Sequence, residues 1–281
     1  MNLDTTVLLE GLAFPEGPRW REGKLWFSDL HSYRVMNVDL EGRAKHVVDV
    51  PGRPSGLGWL PDGRLLVVSM TDRRLLRLDP GGLTEVADLS ALASFDLNDM
   101  VVDTEGRAYV GNFGFDLFHD APPKPAELIV VTPEGRSAVV ADGLMFPNGA
   151  VIIGGRTLVV AESFAARLTA FDLERNGSLS NRRIWATLPE GVTPDGICAD
   201  AEGGIWLASP LSGELIRARE GGEITHRYKP DHAPYACMLG GADRRTLFLA
   251  TAETHDPEEA KAKRSGRIET VRVEIPGAGL P

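Results

Sequence analysis

The chain has 281 residues and a formal net charge of −10, from 30 Lys and Arg against 40 Asp and Glu. That balance argues against nucleic acid as a partner, because a phosphate backbone must be met by clustered cations and no Lys/Arg run or basic amphipathic helix occurs. Hydrophobic residues make up 43% and charged residues 25%, as in a soluble globule with a real core, and no apolar run approaches the roughly 18 residues that a membrane span needs.

In chain order, Met1-Asn2-Leu3-Asp4 carries no basic segment, and Asp4, Glu10 and Gly11 interrupt the apolar residues around it. No secretory leader and no membrane anchorage are expected, and the chain reads as cytoplasmic. Thr6-Val7-Leu8-Leu9 reads as a strand without a local partner. From Glu16 onward one unit recurs six times. Its opening turns are Glu16-Gly17-Pro18, Ser55-Gly56-Leu57, Asn98-Asp99-Met100, Asn148-Gly149-Ala150, Asp195-Gly196-Ile197 and Ala236-Cys237-Met238, spaced by 39, 43, 50, 47 and 41 positions. Each opening leads through a short strand to a second tight turn, such as Pro61-Asp62-Gly63 or Thr104-Glu105-Gly106. A β-rich run follows, Leu25-Trp26-Phe27 in the first unit and Ile205-Trp206-Leu207 in the fifth, then a run alternating apolar and polar, such as Arg34-Val35-Met36-Asn37-Val38. A fourth strand is legible in most units, for example Ser137-Ala138-Val139-Val140. Short apolar runs between Gly/Asp turns are strands rather than helices.

Six units of four strands at about 40–50 residues each predict an all-β, six-bladed β-propeller with four-stranded blades. Two units carry insertions, Gly114 to Pro125 and His255 to Ser265, each after a second strand, so both are expected on one face. The sixth unit lacks an outer strand. Thr6–Leu9 is expected to supply it by pairing with the segment from Arg267 to Ile275, which removes an exposed edge and makes residues 1–281 one domain. Cys198 and Cys237 have no metal-type spacing and are expected to be reduced packing residues.

The first strand of a propeller blade lies beside the central channel, so the residues opening it converge from different blades. Here they are Glu16, Ser55, Asn98, Asn148, Asp195 and Ala236. Two carboxylates and two carboxamides offer four oxygen donors with a charge of about −2, which suits a hard divalent ion such as Ca²⁺, Mg²⁺ or Mn²⁺. The same residue types also suit tight turns with no ligand at all, and spacing alone does not separate the two readings.

The elements Pro15-Glu16-Gly17-Pro18-Arg19-Trp20, Asn98-Asp99 with Val102-Asp103, Phe146-Pro147-Asn148-Gly149 and Thr193-Pro194-Asp195-Gly196-Ile197 stand in order and in phase. Through them the whole chain resembles the senescence marker protein (regucalcin)/gluconolactonase/luciferin-regenerating enzyme-like family of six-bladed propellers. The resemblance implies one divalent metal ion, Ca²⁺ or Mn²⁺, Mg²⁺ or Zn²⁺, held by Glu16, Asn148 and Asp195, with Asn98 helping to hold substrate or metal. It implies hydrolysis of a small-molecule lactone by metal-activated water, with Asp195 also the general base. Phosphotriester hydrolysis on the same residues, or calcium and ligand binding without turnover, are the alternatives.

One departure bears on substrate. Sugar-lactone members of that family usually carry Arg two residues before the Asn, and this chain has Asp96 there. Arg53 holds the equivalent offset in the preceding unit, and the two are expected to pair near the mouth. Phe14, Met145 and Phe146 would make the mouth partly apolar, so only a lactone or related ester is implied. His255, after a channel-proximal strand, is placed either against substrate or in a solvated loop. The other histidines share no spacing, and the five tryptophans read as blade packing.

Overall fold

The computed structural model describes residues 5–119 and 121–278. Among them, six four-stranded antiparallel sheets form, five built from strands that follow one another in the chain and the sixth completed by the first strand. The inner strands are Pro15–Arg21, Pro54–Trp59, Leu97–Val102, Pro147–Ile153, Ile197–Ala199 and Ala233–Gly240. They are buried almost throughout, because each is covered on both faces by neighbouring blades. The fourth strands, such as Ala44–Asp49 and Ser137–Leu144, meet solvent over much of their length. These are the six blades that the repeat predicts.

In the sixth sheet the strand Thr6–Leu12 lies outermost, beside Gly266–Arg272, then Thr246–Ala252 and Ala233–Gly240. Its register runs Thr6 to Thr270, Val7 to Glu269 and Leu12 to Gly266. Residues 1–4, on which the reading of the leader rests, lie outside the described residues, as does Asp120 within the first insertion. No helix among the described residues is long and apolar enough to cross a membrane.

The second insertion folds into a helix, Pro257–Lys263, with proline in its first turn. Asp256 caps it, accepting from the backbone N–H groups of Glu258 and Glu259 at 3.0 and 2.9 Å, which satisfies donors that no helical carbonyl can reach. The first insertion contributes a short 3₁₀ turn, Leu117–His119. Cys198 and Cys237 are buried free thiols 3.8 Å apart, on the inner strands of blades five and six.

Five of the six inner strands break register at the same place: between Glu16 and Arg19, Pro54 and Leu57, Leu97 and Met100, Pro147 and Ala150, and Pro234 and Ala236. In the fifth blade the paired strand begins only at Ile197, after Asp195. A bulge frees residues from the ladder and re-aims their side chains. Here the freed backbone leans on the next blade instead. The Gly149 N–H donates to the Asp195 carbonyl at 3.2 Å, and the Gly196 N–H to the Tyr235 carbonyl at 2.8 Å. A Cβ on Gly149 would stand 2.6 Å from the Asp195 oxygen, and one on Gly196 2.3 Å from the Ala236 Cβ. Close approach of blade to blade explains glycine at both positions.

Candidate functional site

The loops that enter three inner strands are tied down by acceptors at the ends of second strands. Asp29 Oδ1 accepts the N–H groups of Ala13 and Phe14, both at 3.0 Å. Glu162 Oε2 accepts that of Met145 at 2.8 Å, and Ser209 Oγ that of Thr193 at 3.0 Å. Each tie lies two or three residues before Glu16, Asn148 or Asp195. Arg34 pairs with Asp29 at 2.8 Å and Arg167 with Glu162 at 2.8 Å. Burial works to raise the Glu162 carboxyl, but its bonds from Arg167, Thr169 and the Met145 N–H outweigh that and hold it below its ordinary range. Asp29, Glu162 and Ser209 escaped the sequence reading; the available signal was a polar residue closing an otherwise apolar second strand.

Glu16, Asn98, Asn148 and Asp195, from four different blades, line one cavity of about 180 Å³ at the end of the channel where the inner strands begin. The Gly17 N–H donates to Glu16 Oε2 at 2.6 Å. Asn98 Nδ2 donates to the Pro147 carbonyl at 3.3 Å. Asn148 Nδ2 donates to Ser163 Oγ at 3.2 Å, and that hydroxyl spends its own proton on the Pro194 carbonyl at 2.7 Å. Both amides thus turn their N–H side to protein acceptors, which leaves the carbonyl oxygens for the cavity. Of the other two residues in phase, Ser55 is buried with its carbonyl accepting from the Ser28 hydroxyl at 2.6 Å, and Ala236 packs against Gly196.

Burial pushes the Glu16 carboxyl well above its ordinary range, and the charges of Asp195 and Asp99 add to the effect. Asp195 is raised likewise, first by burial and then by Asp99, against the bonds it accepts from Asn148 and Gly196. Asp99 is fully buried behind them, paired with the buried Arg19 at 2.9 Å. Two carboxylates sharing a poorly hydrated site repel, so the charged pair needs a cation nearby or a bound proton. Among the described residues no cluster of three or more His, Cys, Asp or Glu is placed to hold a metal. The set therefore fits a cation only with its amide oxygens included, as hard oxygen-binding ions allow.

The remaining walls are mainly apolar. Phe14, Phe113, Phe118, Phe146 and Phe164 face the cavity with Leu30, Met70 and Leu117. Leu117 and Phe118 come from the first insertion and His255 from the second, so both insertions reach this one cavity. His255 is exposed at the rim, and its carbonyl accepts the Nε2–H of His31 at 3.1 Å. His31 and Tyr235, neither singled out by the sequence reading, also line the cavity. Burial, then the charges of Asp195 and Glu16, push the Tyr235 phenol up, so it is neutral.

Arg53 and Asp96 depart from expectation. Neither lines the cavity, and these two described residues form no ion pair with each other. Arg53 instead donates to the Tyr33 hydroxyl at 3.4 Å, with its guanidinium 5.6 Å from the Tyr33 ring centre and 5.8 Å from that of Phe118. Equal offset did not make the backbones alike: Arg53 is left-handed, with φ of 69°, and Asp96 is not, and the Arg53 guanidinium lies against aromatic faces. Asp96 is half-buried with its carboxyl raised by that burial, against the charges of Arg53 and Arg73.

Residues 14–253 match the family described as SMP-30/Gluconolactonase/LRE-like region. Regucalcin of Danio rerio is 29% identical over 273 residues, spanning 92% of this chain and 89% of that protein. The pentonolactonase of Haloferax volcanii is 25% identical over 290 residues, spanning 99% and 96%. The crystal structure of a calcium-binding protein, regucalcin, from Agrobacterium tumefaciens superposes with a TM-score of 0.83 at 22% identity, over 100% of this chain and 97% of that one. At that identity the likeness is one of fold.

Proposed function

Because the chain belongs to the SMP-30/gluconolactonase/LRE-like family, we propose that it is a cytoplasmic lactonase, with residues 1–281 acting as one domain and a divalent cation at its catalytic centre. The observation that carries this reading is the convergence of Glu16, Asn98, Asn148 and Asp195 on one cavity, with two carboxylates whose burial calls for a counter-charge. Similarity to a pentonolactonase over nearly the whole of both chains supports the reaction class.

Glu16, Asn148 and Asp195 would hold the cation, as Ca²⁺ or as Mn²⁺, Mg²⁺ or Zn²⁺. Bound there, it would polarise the ring carbonyl and offset negative charge developing on its oxygen. Asn98, fixed by its bond to the Pro147 carbonyl, would help hold substrate or metal through its amide oxygen, which can accept from a substrate hydroxyl or the attacking water or bind the cation. Asp195 takes a proton from the attacking water as the new C–O bond forms at the carbonyl carbon. The ring C–O bond then breaks, and the departing alkoxide receives the proton, giving the open hydroxy acid. Arg19, paired with Asp99, keeps a third charge from being left unbalanced behind the site.

The test is hydrolysis of a lactone panel by protein stripped with chelator and reloaded with each of the four ions. Turnover is expected to vanish on stripping and return on reloading. Full metal loading with no hydrolysis of any lactone would sink the reading. It would favour ion binding without turnover, the second reading, which the likeness to regucalcin supports.

A further inference from the structure

Resting on the lactonase reading, we propose that this cavity selects a neutral lactone bearing an apolar side chain, with the ring at Glu16 and Asp195 and the chain running over the phenylalanine cluster to an exit between Phe164 and Leu211. The aromatic cluster is continuous. Phe113 stacks on Phe146 at 4.6 Å between ring centres, and Phe146 meets Phe164 at 5.1 Å. Across the cavity, Phe14 meets Tyr235 edge-on at 4.5 Å.

Several of the polar groups on these walls are already engaged, although the buried Nδ1 of His31 has no partner among the described residues. Ser163 bonds Asn148 and the Pro194 carbonyl. Thr193 Oγ1 accepts the Leu211 N–H at 3.3 Å, and His31 Nε2 is held by the His255 carbonyl. A polyhydroxylated ring entering here would leave water for a wall offering few free partners, and each unpaired hydroxyl weakens its binding. No Lys or Arg among the described residues lines the cavity, so no cationic side chain on its wall is placed to pair with the carboxylate of a carboxylated lactone.

The mouth carries an independent signal. Leu211 is 73% exposed and Phe164 42% exposed, yet both line this cavity. Single exposed apolar residues are ordinary on a protein surface. Two at one rim, continuous with a buried aromatic cluster, instead give an apolar path from the ring site to solvent. A chain laid along it gains with every methylene it buries.

The experiment uses two matched series. Binding of γ-lactams with substituents from methyl to pentyl is measured by calorimetry on both metal-free and Ca²⁺-loaded protein. Hydrolysis is measured on the corresponding γ-lactones beside D-glucono-1,5-lactone. Lactam Kd is expected to fall by about two- to fourfold per added methylene, similarly with and without Ca²⁺, because the chain lies away from the ion. The kcat/KM of the lactones should rise in parallel and exceed that for the sugar lactone by at least about tenfold. Leu211→Ser and Phe164→Ser should each lower the selectivity for the pentyl over the methyl compound in both series.

Lactam affinity independent of chain length, or rim variants with unchanged chain selectivity, would overturn the proposal even if lactones are hydrolysed. Graded lactam binding with no lactone turnover would support the apolar site while removing the lactonase reading beneath it. Sugar-lactone turnover equal to or above that of the alkyl series would overturn the proposed selectivity and leave the reaction class standing.

Discussion

Glu16 and Asp195 bring the same formal charge to the same cavity, yet the proposed mechanism gives only Asp195 a proton to carry, and the two roles can be separated. Asn and Gln keep an oxygen donor but cannot accept a proton near neutral pH. Asp195→Asn and Glu16→Gln therefore remove equal charge, while only the first removes the base. A general base contributes about 10²–10⁴-fold, so at full metal occupancy Asp195→Asn should lose far more kcat than Glu16→Gln. Occupancy must be measured in both variants, because lost metal imitates lost catalysis; equal impairment at equal loading reduces Asp195 to a ligand. His31 offers a different test. Burial, then the Arg53 and Lys261 charges, lower it from 6.5 to about 4, against the His255 carbonyl and Asp29, so the folded state holds it neutral. The unfolded chain binds that proton first as pH falls. The contribution of His31 is thus fully present above about pH 6.5, declines from there towards pH 4, and amounts to on the order of 3 kcal/mol at most. His31→Gln keeps a donor for the His255 carbonyl but does not titrate, so its melting temperature should fall less between pH 6.5 and 4 than that of the unaltered protein. Parallel pH profiles would show that His31 does not set this slope.

At the scale of the element, the bulged start of the inner strand delivers the donors, and glycine lets neighbouring starts touch. Gly149→Ala tests this directly. Its Cβ would stand 2.6 Å from both the Asp195 oxygen and the Ile197 nitrogen, and these are backbone atoms that no rotamer change can move. Overpacking of this kind costs about 1–3 kcal/mol. Because Asn148 and Asp195 flank the contact, calcium affinity measured by titration should fall along with the melting temperature. Gly81→Ala, where nothing stands within 4 Å of the new Cβ, should change neither; a Gly149→Ala protein that melts and binds Ca²⁺ normally would dissociate the glycine from the site. The phase of Glu16, Asn98, Asn148 and Asp195 was legible in the sequence because a repeated turn leaves a repeated signature. Nothing in the sequence spells out the bulges, since a bulge is a mismatch between two strands and not a property of either. The anchors Asp29, Glu162 and Ser209 were hidden for a similar reason: each bonds a loop about 15 residues away through a different residue type. His31 belongs to a short 3₁₀ turn after the second strand of the first blade, and the equivalent turn of the fourth blade, Ser163–Ala165, has Phe164 in its place, so the residue type does not repeat with the turn. The expected Arg53–Asp96 pair failed because equal offset does not make two backbones alike, and the Arg53 guanidinium lies against the Tyr33 ring instead.

Across the whole molecule, a ring of blades has no end from which to fray, provided the last blade is complete. The strand Thr6–Leu12 completes it against Gly266–Arg272. Side chains reinforce the pairing: the Thr5 hydroxyl donates to Glu269 Oε2 at 2.6 Å, and Arg264 Nε donates to the Gly11 carbonyl at 2.9 Å. Glu269 is only 3% exposed and also accepts from Thr251 at 2.8 Å, so removing Thr5 takes a partner from a buried carboxylate. Deleting the residues before Gly11 would expose the edge of Gly266–Arg272 and leave its backbone groups to water or to another chain. The damage should not stay in blade six. Gly266 sits against Leu12 and Pro15, where an added Cβ would come within 2.6 Å of the Pro15 ring, and Pro15 precedes Glu16. The truncated protein should therefore melt more than about 5 °C lower, the shift expected from losing 2–3 kcal/mol in a chain of this size. It should also bind Ca²⁺ more weakly, although no donor has been altered. A lower melting temperature with unchanged calcium affinity would confine the strand to stability alone. A truncated protein that melts with the full chain would mean that the ring holds without it.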